Sequence, residues 1–261
     1  MKLYSISLGL LAAASMAATA AANTTAVLQV QTSGGASLTV NDNGIGDAEN
    51  TTVGNIAITY PTTVGDYTIG TSDSSGKPAN QATLQNHVLA LDNTGTSTET
   101  LSILFSDLGF TPGLGQSVQQ SLFSSASLNY ISGSGTATAS FQSYIDPSNA
   151  PITLSNLPAN ATPVLSASIA AGTGTISLTD SGGHTSSSTQ FYLSGPFSMA
   201  DLVRLSLPAG GQLNFAGSTD ATVQVVAPEP AEFTCLAVLG TVLLTPRLRK
   251  ANRSGKPAIK W

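Results

Sequence analysis

The segment Asn41-Asp42-Asn43-Gly44-Ile45-Gly46-Asp47-Ala48-Glu49 is the most ligand-like stretch of this 261-residue chain. Ca²⁺ takes about six to eight oxygens from a loop able to bend. Asp42, Asp47 and Glu49 are the expected metal ligands, with Asn43 beside them and Gly44 and Gly46 to bend the backbone. The spacing is not that of an EF-hand, and Asp/Asn/Gly clusters between strands commonly form plain turns. A turn therefore stands beside the Ca²⁺ reading, and no other cofactor is expected. The two histidines, His87 and His184, lack a cysteine partner in the body, so a zinc site of the usual His/Cys kind has too few ligands. Serine and aspartate are plentiful, but no G-x-S-x-G elbow presents a nucleophile. Glycoside hydrolysis needs two carboxylates across a cleft, and nothing in the spacing of Asp92, Glu99 and Asp107 selects a pair. Sugar binding would use aromatic platforms, for which Tyr60, Tyr67, Tyr130, Tyr144 and Tyr192 are the candidates. The expectation is a protein that is not an enzyme.

The elements that must carry these residues read as strands. Ser and Thr make up about a quarter of the chain, Gly contributes 25 residues, and sustained 3.6-residue apolar periodicity is missing between Thr24 and Val226. Short alternating runs, bounded by Gly, Asn, Asp, Ser or Pro, take its place. Val203, Leu205 and Leu207 share one face, with Arg204 and Ser206 on the other. Ala137, Ala139, Phe141 and Ile145 form a second such face. One apolar and one polar face predict antiparallel sheets packed as a β-sandwich of jelly-roll-like type. Pro208-Ala209-Gly210-Gly211 is expected to make a hairpin turn between two strands. The proline-rich segment Asp146–Pro163 reads either as a long crossing loop or as a joint between two small sandwiches. A hydrophobic fraction of 41% is enough for a core, which argues against a disordered stalk.

The two ends differ from the body. Lys2, the apolar stretch Leu3–Ala14 and Ala20-Ala21-Ala22 have the parts of a secretory signal helix, cut after Ala20 or Ala22. Residues 1–22 are therefore assigned to the signal and 23–226 to the sandwich. Six of the nine basic residues fall in the last fifteen positions. Between Asn23 and Glu229 only Lys77 and Arg204 face thirteen acidic residues, a net charge of −11. Phosphate backbones repel such a body, so nucleic acid is excluded as a partner. Cys235, the single cysteine, rules out an internal disulfide and reads as a small hydrophobe within the tail. Within the body, Asn23, Asn50 and Asn160 each begin an N-x-[ST] triplet, a number close to chance for this composition.

The tail runs Pro228-Glu229-Pro230, then thirteen uncharged residues from Phe233 to Thr245, then Arg247, Arg249 and Lys250. A helix of that length spans about 20 Å, short of a bilayer core of roughly 30 Å. The basic residues beyond it hold that end on the cytoplasmic side during export. This order resembles the PEP-CTERM sorting signal of exported Gram-negative bacterial proteins. The resemblance covers residues 227–250 and departs at Pro246, which closes the apolar run early, and at the polar extension 251–261. It implies recognition by an exosortase, a transient membrane anchor through the apolar helix, and delivery to the cell surface or extracellular matrix. Secretion machinery and exopolysaccharide are the partners it suggests. The function expected is a non-enzymatic surface or matrix protein. A carbohydrate-binding or adhesion module is the alternative, and a secreted hydrolase is third.

Overall fold

The computed structural model describes residues 26–49, 51–77, 81–111 and 118–223. No helix occurs among them, and the signal helix, the sorting motif and the apolar tail helix lie outside the described residues. The strands in chain order are β1 Val27–Thr32, β2 Ser37–Asn41, β3 Asn55–Val64, β4 Tyr67–Gly76, β5 Gln81–Asn93, β6 Glu99–Phe110, β7 Val118–Ser132, β8 Thr136–Asp146, β9 Leu165–Ala170, β10 Thr175–Ser177, β11 Ser186–Leu193, β12 Phe197–Leu207 and β13 Gln212–Val223. They form two sheets, one ordered β2-β1-β6-β12-β8-β9 and the other β10-β7-β13-β5-β4-β3, with β11 also paired to β7. Every pairing is antiparallel. Two antiparallel sheets sharing one apolar core are consistent with a β-sandwich.

The alternation in sequence explains which face turns inward. Leu101, Ile103 and Phe105 of β6, Ala137, Ala139 and Phe141 of β8, and Val203, Leu205 and Leu207 of β12 are buried in the core. From the other sheet come Tyr67 and Ile69, Leu84, Val88 and Leu91, Leu128 and Tyr130, and Leu213 and Phe215. Phe141 and Phe215 meet across the interior with ring centroids 5.8 Å apart, and Phe110 stacks on Phe197 at 5.6 Å. Burying each such ring or aliphatic side chain contributes roughly 1.5–3 kcal/mol.

The segment between β8 and β9 lies over the outer face of the first sheet. Ile152, Leu154, Leu157 and Ala161 pack there on Leu104, Tyr144, Ala200 and Leu202. That cover explains why β12 is buried on both faces over its first half, whereas Arg204 and Ser206 further along lie on an outer face with no such cover.

The turn Pro208–Gly211 is not a hairpin. It carries the chain from β12 in the first sheet to β13 in the second. Both strands have an apolar face, and each reaches the shared core by joining a different sheet. Asn93, only 1% exposed, fastens this corner. Its side-chain amide donates to the carbonyls of Leu207 at 2.7 Å and Ser97 at 2.8 Å, and its Oδ1 accepts the Gly95 amide at 2.9 Å. Its backbone exchanges hydrogen bonds with Gly210 and Gly211. One residue thus ties together two crossings between the sheets.

Candidate functional site

The Asp42–Glu49 loop is built around its own carboxylates. Asp42 is buried, and its Oδ2 accepts the Gly54 amide at 2.8 Å while Oδ1 accepts the Asn43 side chain at 2.8 Å. Asp47 Oδ1 accepts the amides of Glu49 and Ala57, each at 3.0 Å, and Oδ2 accepts the Asn43 amide at 2.9 Å. Glu49 Oε1 takes the hydroxyls of Thr51 and Thr52. Burial raises the Asp42 carboxyl above the ordinary range; the Gly54 amide holds that rise back, and the charges of Asp47 and Asp107 add to it. The structure places Asp42 and Asp47 within electrostatic reach of each other and points both at loop amides. Among the described residues no group of three or more His, Cys, Asp or Glu side chains is arranged to hold a metal.

The other sequence candidates are dispersed. Glu99 and Asp107 lie eight positions apart on β6, about 26 Å along a strand, well beyond the spacing of a glycosidase pair. Asp92 accepts the phenol of Tyr60, and Asp107 is fully buried under Lys77. Tyr67 and Tyr130 are among the largest buried side chains, and Tyr144 is buried too. Burial pushes the Tyr67 phenol up to about 12, and it donates to the Glu99 carbonyl at 2.5 Å. Only Tyr60 and Tyr192 of the five tyrosines are exposed, one on β3 and the other on β11. Those strands flank opposite sides of the second sheet, about five strand spacings or roughly 24 Å apart, too far for one sugar platform. His184 Nδ1 sits 3.1 Å from Asp180, whose carboxylate also accepts the Gly182 and His184 amides. Those amides and the imidazole lower the Asp180 carboxyl, as expected of a loop anchor. His87 lies within β5, in a shallow surface depression with Ser127 and Ala216.

A cluster that strand alternation leaves unpredicted lies between the sheets. Asp73 on β4, Asn86 on β5, Ser124 on β7, Ser143 on β8, Asp201 on β12 and Thr219 on β13 are all buried. Thr219 Oγ1 donates to Asp201 Oδ1 at 2.6 Å and also meets the Ser143 hydroxyl. Ser124 donates to Ser143 at 2.7 Å and lies 3.3 Å from Thr162, whose hydroxyl accepts the Ser143 amide at 3.1 Å. These residues occupy core-facing positions between apolar ones. Asn86 sits between Leu84 and Val88, Ser143 between Phe141 and Ile145, and Asp201 between Met199 and Val203.

Burial drives the Asp201 carboxyl up to about 7, even though Thr219 and Ser143 favour its charged form. Burial likewise holds Asp73 well above the ordinary aspartate range. Thr71 and the His87 amide moderate that rise without making a hydrogen bond of normal geometry to Asp73, and the charge of Asp201 adds to it. Ser143 was the legible signal, a polar residue in the middle of an apolar face.

At one margin of the interior, Lys77 Nζ lies 2.7 Å from Asp107 Oδ2, which also accepts Ser75 Oγ at 2.6 Å. The ammonium is 5.2 Å from the centre of the Phe110 ring, within cation–π range. This pair joins β6 of one sheet to the end of β4 in the other. Compared with known proteins, the chain matches no family model and no curated sequence.

Proposed function

We propose that this chain is a non-enzymatic protein of the bacterial cell surface or extracellular matrix, exported by its N-terminal signal and sorted by an exosortase-type system. The observation that carries this reading is the order Pro228-Glu229-Pro230, the apolar run from Phe233, and Arg247, Arg249 and Lys250 at the C-terminal end. The body supports it through how its chemistry is deployed. The carboxylates of Asp42, Asp47, Asp107 and Asp180 hold loops and strands together, and three of the five tyrosines among the described residues are buried. Such a body serves as a durable scaffold. Its strand order supports the jelly-roll reading, since β5-β13-β7-β10 faces β6-β12-β8-β9 and the links β5–β6, β7–β8 and β12–β13 all cross between sheets.

The test is to express the full chain and a version lacking 227–261 in an exosortase-carrying host, then measure surface abundance and intact mass. The full chain is expected at the surface, beginning at Ala21 or Asn23 and missing the residues beyond the Pro-Glu-Pro region. The shortened chain is expected to be exported without surface retention. Equal surface abundance of both, or Trp261 still attached to the surface form, overturns the sorting assignment.

A further inference from the structure

The polar layer between the sheets contains buried groups that form no hydrogen bond of normal geometry. Thr71 Oγ1, both Asp73 oxygens, both Asn86 amide atoms and Asp201 Oδ2 are buried with no hydrogen-bond partner. Buried polar atoms in native proteins are nearly always paired, and a buried carboxylate is the costliest to leave alone. Their placement gives the gathering a common target. Asp73 and Asn86 are register partners on β4 and β5, and Thr71 precedes Asp73 by two residues on the same face. Asp201 comes from the opposite sheet, near enough for its charge to act on Asp73. Thr219, on the strand beside β5, already holds Asp201 Oδ1, which leaves Oδ2 as the open oxygen.

We propose that this layer binds one divalent cation, Ca²⁺ in preference to Mg²⁺, between the two sheets through Asp73, Asp201, Asn86 Oδ1 and Thr71 Oγ1. The donors are all oxygen, which suits a hard cation and not zinc or copper. Two carboxylates balance a double positive charge, so the cation removes the cost of burying them. The five partnerless oxygens approach the roughly six to eight that Ca²⁺ takes in irregular geometry. Mg²⁺ requires a near-ideal octahedron and keeps several waters, which suits a layer enclosed by Leu84, Val88, Phe141, Ile145, Met199 and Val203 poorly. The site is separate from the Asp42–Glu49 loop, whose carboxylates already hold loop amides.

The experiment uses the full chain refolded in millimolar CaCl₂, MgCl₂ or EDTA, with one portion melted in that buffer and another desalted for elemental analysis. Elemental analysis gives the metal content, and thermal melts give the stability in each condition. The expected result is about one Ca²⁺ per chain and a melt several degrees higher in Ca²⁺ than in EDTA, the size expected when free ligand exceeds Kd about a hundredfold. Asp73→Asn and Asp201→Asn should lose both the ion and the shift, while Asp47→Asn in the loop keeps both. Absence of stoichiometric metal in the wild-type chain, with equal melts in Ca²⁺ and EDTA, overturns the proposal and leaves a shared proton as the layer's occupant. A full Ca²⁺ shift in Asp73→Asn, or its loss in Asp47→Asn alone, also overturns it. The wild-type metal content decides the matter even where a variant does not fold.

Discussion

At the scale of single residues, the two interior aspartates make stability depend on pH in an unusual direction. Asp201 has a folded pKa of about 7 and Asp73 is also raised, both chiefly through burial, so the metal-free folded state holds protons that the unfolded chain releases near pH 4. Through Asp201, folded protein then binds more protons than unfolded protein between about pH 4 and 7. Stability therefore falls as pH rises through that window, and Asp73 acts in the same direction. For Asp201 alone the span of about three pH units corresponds to something on the order of 4 kcal/mol. Asp180, whose pKa is lowered, loses its contribution only below about pH 4 and leaves the window clear. Urea unfolding in EDTA at pH 5, 6.5 and 8 should show decreasing stability for the wild type and a flatter profile for Asp201→Asn. A wild-type profile that rises from pH 5 to 8 contradicts this account of the interior.

At the scale of elements, Gly217 shows how packing decides a strand that sequence divides. A Cβ added there would lie 2.7 Å from Phe141 Cε2 and 2.9 Å from Cζ. The ring of β8 in one sheet thus fills the space over the glycine of β13 in the other. Gly217→Val should cost about 1–3 kcal/mol, since overpacked cores lose roughly that much. Urea midpoints would measure it, and Phe141→Leu in the Gly217→Val background should recover part of the loss; a neutral Gly217→Val would show that the ring yields freely. In sequence, Ala216-Gly217-Ser218 looks like a break between Gln212–Phe215 and Ala221–Val226, whereas β13 is continuous from Gln212 to Val223. Alternation in β6, β8 and β12 was readable because one face is apolar and the other polar over most of each strand. Which sheet a strand joins was not, because Pro208–Gly211 has the same local chemistry in a hairpin as in a crossing. The interior layer was half visible. Ser143 interrupts an apolar face, but Asp73 lies in Thr-Ser-Asp-Ser-Ser, where polar residues on both faces hide the inward one.

At the scale of the molecule, charge and fold oppose one another. Two cations against thirteen carboxylates between Asn23 and Glu229 make the compact state self-repelling, and expansion on unfolding relieves part of that repulsion. Lys77, one of the two cations, is already engaged with Asp107, so the surface carries an almost unbroken negative field. Salt should therefore stabilise the fold. The Debye length falls from about 30 Å at 0.01 M ionic strength to about 8 Å at 0.15 M, which screens repulsion between distant carboxylates. In EDTA, which keeps divalent ions out of the interior, moving from low salt to 0.15 M NaCl should raise the melting temperature by a few degrees. KCl should act identically, because screening depends on ionic strength and not on the ion. Ca²⁺ should then add a further increment at negligible change in ionic strength, which separates a site that coordinates the ion from a surface that merely attracts it. A melt that stays constant or drops with NaCl would mean that local ion pairs such as Lys77–Asp107 outweigh the long-range field.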